Sequence, residues 1–119
     1  MITIELPWPS SDLSPNARVH WSVKAKATRT ARNYAKLYTL YEYSGEQLHR
    51  WDNFRCTWTF HPLDLRLRDE DNLVSSMKSA RDGVCDALGI DDSQIKETVS
   101  RFGEVDRPDG RVVMTLEEM

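Results

Sequence analysis

Apolar residues recur along the chain with two periods, and the changes of period mark out the elements. Ile2, Ile4 and Leu6 alternate with polar residues, which predicts a first strand closed by Pro7 and Pro9. Ser10 to Asn16 is rich in Ser, Asp and Pro and reads as a loop. A helix is predicted to begin between Val19 and Lys24 and to end near Gly45. Ala31, Tyr34, Ala35, Tyr38 and Tyr41 recur at three- and four-residue steps and are expected to form its core-facing stripe. From Asn53 to Phe60 the period returns to two, with Phe54, Cys56, Trp58 and Phe60 on one side. After Pro62, the alternation of Leu63, Leu65 and Leu67 keeps the chain extended into Asp69. Leu73, Met77, Ala80, Val84 and Leu88 then follow helical spacing. They predict one helix from about Asn72 to Leu88, with Gly89 just past its end. Two strands, about Thr98–Val105 and Arg111–Leu116, flank the turn-forming Asp106-Arg107-Pro108-Asp109-Gly110. This order predicts an α+β fold: one small domain, with a mixed β-sheet packed against two main helices.

Composition narrows the field. The chain has 119 residues, of which 39% are hydrophobic, and no apolar run approaches the roughly 20 residues of a membrane span. The first residues lack the basic and apolar blocks of a signal peptide. Cys56 and Cys85 show neither metal-ligand spacing nor a disulfide framework, so they read as reduced, buried thiols of a cytoplasmic protein. The net charge of -3 conceals a division. Residues 18 to 36 hold Arg18, Lys24, Lys26, Arg29, Arg32 and Lys36 without one acid, whereas residues 69 to 92 hold seven acids against Lys78 and Arg81. Such a split suggests one surface for a polyanion and one pocket for cations. Solvated helix faces also segregate charge with no function attached.

The acids carry the candidate chemistry. In an extended segment, Asp69 and Asp71 lie on one side about 6.5 Å apart while Glu70 points away. Paired carboxylates repel unless a hard divalent cation joins them, and such cations prefer oxygen ligands. Asp91 and Asp92 follow the predicted helix, and a chain return is needed to bring them to its start. The structural alternative is plain: Asp71 or Asn72 as a helix cap, and Asp91-Asp92-Ser93 as an ordinary turn. Other chemistries lack their residues. There is no EF-hand glycine, no phosphate-binding Gly-rich loop, no HExxH and no GxSxG.

Leu6-Pro7-Trp8-Pro9-Ser10, Ser14-Pro15-Asn16, Asp69-x-Asp71-Asn72-Leu73 and Asp91-Asp92-Ser93-Gln94 occur in that order. In this the chain resembles the RusA family of Holliday junction resolvases of phages and prophages. The resemblance implies a homodimeric, Mg²⁺-dependent endodeoxyribonuclease (with Mn²⁺ able to substitute) that makes paired nicks in four-way DNA. It puts the catalytic and metal-binding roles on Asp69, Asp71 and Asp92, with Asp91 beside them. Where the family has a lysine four residues after the second aspartate this chain has Ser75, and Lys78 is the candidate replacement. Arg18, Lys24, Lys26, Arg29, Arg32 and Lys36 would then grip DNA backbones, with Arg66 and Arg68 nearer the cut. Trp21 and His20 are candidates to stack or wedge at a junction centre, although packing is the commoner role for a tryptophan. The alternatives are a junction-binding protein with weak or no catalysis, and a metal-dependent nuclease of other branched DNA.

Overall fold

A computed structural model of the protein describes residues 1–43 and 52–119. The expected helix stop at Gly45 lies outside the described residues. Four strands form one mixed sheet: β1 (Ile2–Pro7), β2 (Phe54–His61), β3 (Ile95–Phe102) and β4 (Arg111–Glu118). Their spatial order is β1-β4-β2-β3. β4 runs antiparallel to both neighbours, pairing Leu6 with Val112 on β1 and Phe60 with Val112 on β2. β3 lies parallel to β2 at the edge, with Trp58 opposite Ser100. The α+β class and the mixed sheet are therefore as the periodicity predicts.

The described chain forms two compact units. Residues 1–8, 52–70 and 93–119 make a sheet unit, and residues 9–43 and 71–92 make a helical unit. In the sheet unit, Ile2, Ile4, Leu6, Phe54, Cys56, Trp58, Phe60, Val112, Met114 and Leu116 are buried. Each large one contributes about 1.5–3 kcal/mol by leaving water. The predicted alternation of β2 is met except at Thr59, which is buried as well. Residues 63–68, expected to be extended, instead bend and form no strand, and Leu65 and Leu67 are exposed. The local reason is Asp64, whose Oδ1 accepts from the Arg66 backbone N–H at 3.0 Å and from Arg68 Nη2 at 2.8 Å. These bonds close a turn that an extended chain cannot make.

The helical unit contains α1 (Trp21–Tyr43), α2 (Glu70–Ser76, from its second residue on) and α3 (Lys78–Leu88). A single helix is expected from Asn72 to Leu88, but the structure breaks it at Met77, whose backbone (φ -93°, ψ 1°) is not helical. Just before the break, the Ser76 hydroxyl donates to the Asn72 carbonyl at 2.8 Å. Such back-bonding competes with the helix ladder and bends it. Gly89 ends α3 as predicted, left-handed at φ 70°, with its N–H donating to the Cys85 carbonyl.

The predicted inward face of α1 is met only in part: Ala35 is buried and Ala31 and Tyr38 are half-buried, but two of its tyrosines are not covered. Ala35 and Thr39 are buried, whereas Tyr34 and Tyr41 are exposed. Tyr34 instead stacks on Tyr38 (ring centroids 6.1 Å apart). The reason lies on α3, which meets α1 at Gly83. A Cβ there would stand 2.1 Å from the Arg32 carbonyl oxygen and 3.1 Å from Ala35 Cβ. Backbones that approach so closely leave room only for a small side chain, so Ala35 faces Gly83 while Tyr34 and Tyr41 turn outward. The Thr39 hydroxyl is satisfied within its own helix, donating to the Ala35 carbonyl at 2.6 Å.

Candidate metal and nucleic-acid site

Asp69 immediately precedes α2, and Asp71 lies within it. Helical backbone therefore begins at Glu70, two residues earlier than the periodicity suggests. The extended-strand argument for convergence of Asp69 and Asp71 does not apply to a helical Asp71. Three acids at a helix start are favourable there, because the unpaired N–H groups and the helix dipole attract negative charge. Both aspartates are exposed. Glu70 is committed elsewhere in the sheet unit: the Ser100 hydroxyl on β3 donates to its Oε2 at 2.5 Å. Sequence reading left that residue without a role.

Within the helical unit, Asp92 opens a short 3₁₀ turn (Asp92–Gln94) just after α3 and keeps 45% of its side chain exposed. Its Oδ1 lies 2.7 Å from Nη2 of Arg81. Asp91 beside it is exposed. Lys78, the candidate catalytic lysine, stands at the start of α3 with 65% of its side chain exposed, its Nζ 3.4 Å from Asp82 Oδ2. The cation beside Asp92 is thus Arg81 rather than Lys78. The two are three residues apart on one helix and share a face. The sequence supplied the pair but could not say which member reaches the turn.

Carboxylates are the donor type that a hard divalent cation takes. Asp69, Asp71 and Asp92 are exposed, and the charge beside Asp92 is the Arg81 guanidinium. Among the described residues, no group of three or more His, Cys, Asp or Glu side chains stands assembled to hold a metal ion.

The cationic residues divide into two kinds. Arg18, Lys24, Lys26, Arg29 and Lys36 are exposed. Arg32, also exposed, is engaged with α3: its Nε and Nη2 donate to the two oxygens of Asp86 at 2.7 and 3.0 Å. That pair raises the Arg32 pKa and holds the Asp86 carboxyl below the usual carboxylate value, chiefly through the hydrogen bond itself. In the sheet unit Arg66 is exposed. Arg68 is a clamp: its side chain is 10% exposed, donates to the Asp64 and Arg66 carbonyls and the Asp64 carboxylate, and lies 5.3 Å from the Trp8 ring. Trp8 also meets Phe60 edge-on at 6.1 Å. The Leu-Pro-Trp-Pro segment therefore anchors this loop through a cation–π contact.

At the start of α1, His20 Nδ1 accepts from the Ser22 backbone N–H at 3.1 Å and lies 2.7 Å from its hydroxyl, capping the helix. Trp21, for which packing is the commoner role, is instead 75% exposed, its ring 5.4 Å from that of His20. Cys56 and Cys85 are both buried and neither is in a disulfide, as expected. Burial, and secondarily the charge of Asp92, push the Cys85 thiol up to about 12. Among the described residues no helix is long and apolar enough to cross a membrane.

An α+β protein with a mixed sheet, an exposed basic helix and exposed aspartates around α2 and α3 is what these features define. The chain is 42% identical over 117 residues to an uncharacterized protein of Xylella fastidiosa, a match that spans 98% of this chain and 76% of that one. It belongs to the family of that protein. No family model matches the chain.

Proposed function

We propose that the protein is a divalent-metal-dependent endonuclease of branched DNA, with the four-way junction as its first substrate, working as a homodimer in the manner of the RusA resolvases. The observation that carries this reading belongs to the helical unit alone. There the cations Lys24, Lys26, Arg29 and Lys36 are exposed along α1 with no acid among them, and Asp71 and Asp92 are exposed on the same unit. The α1 cations bind phosphates without reading sequence, which makes affinity depend steeply on salt. Trp21, standing out from the first turn of α1, offers a ring on which an unpaired base stacks.

Asp69, Asp71 and Asp92 would hold Mg²⁺ or Mn²⁺. When bound, such ions activate water and stabilise the departing oxygen of a phosphodiester. The chain's own contribution is to place carboxylates at the start of α2 and after α3, and to bring the phosphate to them by charge. A two-fold dimer would present two such sites to the two strands of a junction. The paired Lys78 and the presence of Ser75 favour a second reading, in which junctions are bound and not cut.

Labelled four-way junction, flap and linear duplex, each incubated with the protein and Mg²⁺, test the proposal. Expected are nicks in the branched substrates only, reduced at least a hundredfold by Asp71→Asn with binding retained. Salt-sensitive binding without any nick would establish the second reading, and undiminished cleavage by Asp71→Asn would overturn the metal assignment.

A further inference from the structure

β3 forms one edge of the sheet, and no described strand lies beyond it. β1, at the other edge, buries every second residue, whereas β3 buries none. β3 is therefore held chiefly by its ladder to β2, and it keeps Val99 40% and Phe102 44% exposed. From Glu97 to Phe102 that ladder is unbroken, with no Pro or Gly to blunt the edge. Beyond it the Gly103 N–H donates to the Phe60 carbonyl at 2.8 Å. Backbone groups of successive residues face opposite sides of a strand, so Glu97, Val99 and Arg101 turn theirs to β2 with Gly103. Thr98, Ser100 and Phe102 turn theirs to the open side, where a further strand can take them up.

We propose that two copies of this chain join along this edge, their β3 strands antiparallel about a two-fold axis at Val99. The proposal rests on the homodimer of the functional reading and gives it a surface. Outward-turned residues must lie opposite one another for N–H and C=O groups to meet, so the axis passes through a residue and not between two. Charge then selects the residue. An axis at Glu97 or at Arg101 opposes like charges, and an axis at Thr98 or at Ser100 sets Val99 opposite a charge. With the axis at Val99, Glu97 of each copy lies opposite Arg101 of the other, Thr98 exchanges hydrogen bonds with Ser100, and Val99 meets its own counterpart. Both charges are already steadied within the sheet. Glu97 Oε2 accepts from Arg55 Nε at 3.0 Å, and Arg101 Nε donates to Thr59 Oγ1 at 3.0 Å. Glu97 Oε1 and the Arg101 Nη groups are left to reach across, and little side-chain freedom is lost when they do. One strand edge buries less than the roughly 1,200–2,000 Å² of a standard interface, so micromolar affinity is expected.

Sedimentation equilibrium of the full chain at micromolar concentrations, without DNA, is the test. Wild type should show a monomer–dimer equilibrium. Thr98→Pro removes one outward N–H and spares the ladder to β2, and Val99→Lys sets two cations together on the axis. Each should weaken dimerisation at least tenfold. Glu97→Arg and Arg101→Glu should each do the same by opposing like charges, and the double swap Glu97→Arg/Arg101→Glu should return to within about threefold of wild type. Thr3→Lys, exposed on β1 at the other edge, should change nothing. Circular dichroism identifies the folded variants, and the charge swap decides the matter where Thr98→Pro or Val99→Lys fails to fold. A dimer that the folded edge variants leave intact, or a double swap that recovers nothing, overturns this inference and leaves the nuclease reading standing if wild type nicks junctions. A wild type that stays monomeric overturns both this inference and the homodimer, and leaves the edge to a strand of another protein. A dimer that responds as expected, with no nicking of any branched DNA, overturns the nuclease reading alone.

Discussion

Gly83→Ala isolates the contact on which the helical unit is built. In an exposed helix the change stabilises by about 1 kcal/mol, because alanine is the better helix former. Here the new Cβ would meet the Arg32 carbonyl oxygen at 2.1 Å, the Arg32 carbonyl carbon at 3.0 Å and Ala35 Cβ at 3.1 Å. Two of these three atoms belong to backbone and cannot rotate aside. Ordinary contact begins near 3.4 Å, so α1 must retreat by about an ångström, loosening its packing along α3. Overpacking of this kind costs about 1–3 kcal/mol and more where backbone is involved. With the propensity gain subtracted, the expected net loss is about 2 kcal/mol. With a slope of about 2 kcal/mol per molar of urea, the midpoint followed by far-ultraviolet circular dichroism should fall by about 1 M. Gly89→Ala is the calibrating variant. Its Cβ has no heavy atom within 4 Å, but its φ of 70° is left-handed, so a loss of about 1 kcal/mol is expected from backbone strain alone. An unchanged or higher midpoint for Gly83→Ala would refute the close approach of the two helices.

Two further outcomes are expected. With Cys85 pushed up to about 12 by burial and Cys56 fully buried, neither thiol should react with a thiol reagent at pH 8 in the native protein, and both should react in urea; rapid native labelling at Cys85 would contradict its placement. Asp86 and Asp64 are held below the usual value of 3.8, the first mainly by the Arg32 hydrogen bond and the second mainly by the Arg66 backbone N–H. Because their folded values are depressed, the stability they contribute is present above that value and lost as the pH falls through the folded values, below about pH 4. The urea midpoint should drop in that window, and Asp64→Asn with Asp86→Asn should flatten the drop; an acid limb identical to wild type would show that other groups produce it.

Local pattern was a good guide wherever one face of an element decides its conformation. The strands at Ile2–Pro7, Phe54–His61 and Arg111–Glu118, and the glycine stop at Gly89, were legible because alternation and a left-handed turn are properties of a few adjacent residues. The segment 63–68 was misread because the Asp64 turn bonds outweigh an alternating pattern whose leucines find nothing to pack against. The candidate site was legible as composition: the acids of residues 69–92 and the cations of 18–36 can be read off the chain. Their use was not. Arg68 and Arg32 look in sequence like any other basic residue, yet one is a loop clamp on Trp8 and the other a fork on Asp86.

By itself, then, the sequence determined the residue chemistry: an α+β chain with carboxylates enough for a hard cation and a helix basic enough for a polyanion. Tertiary structure decided three things it could not. Gly83 brings α3 against α1 so closely that Ala35 fills the contact while Tyr34 and Tyr41 face water, although aromatic residues at helical spacing ordinarily mark a core. The Ser76 back-bond and the break at Met77 set where α3 begins, and so how Lys78 and Arg81 are presented. Asp92 in turn has Arg81 as its partner, not Lys78. Each depends on atoms brought together by chain path rather than by spacing, and a period of 3.6 residues cannot specify which of two cations on one helix face meets a turn beyond the helix end.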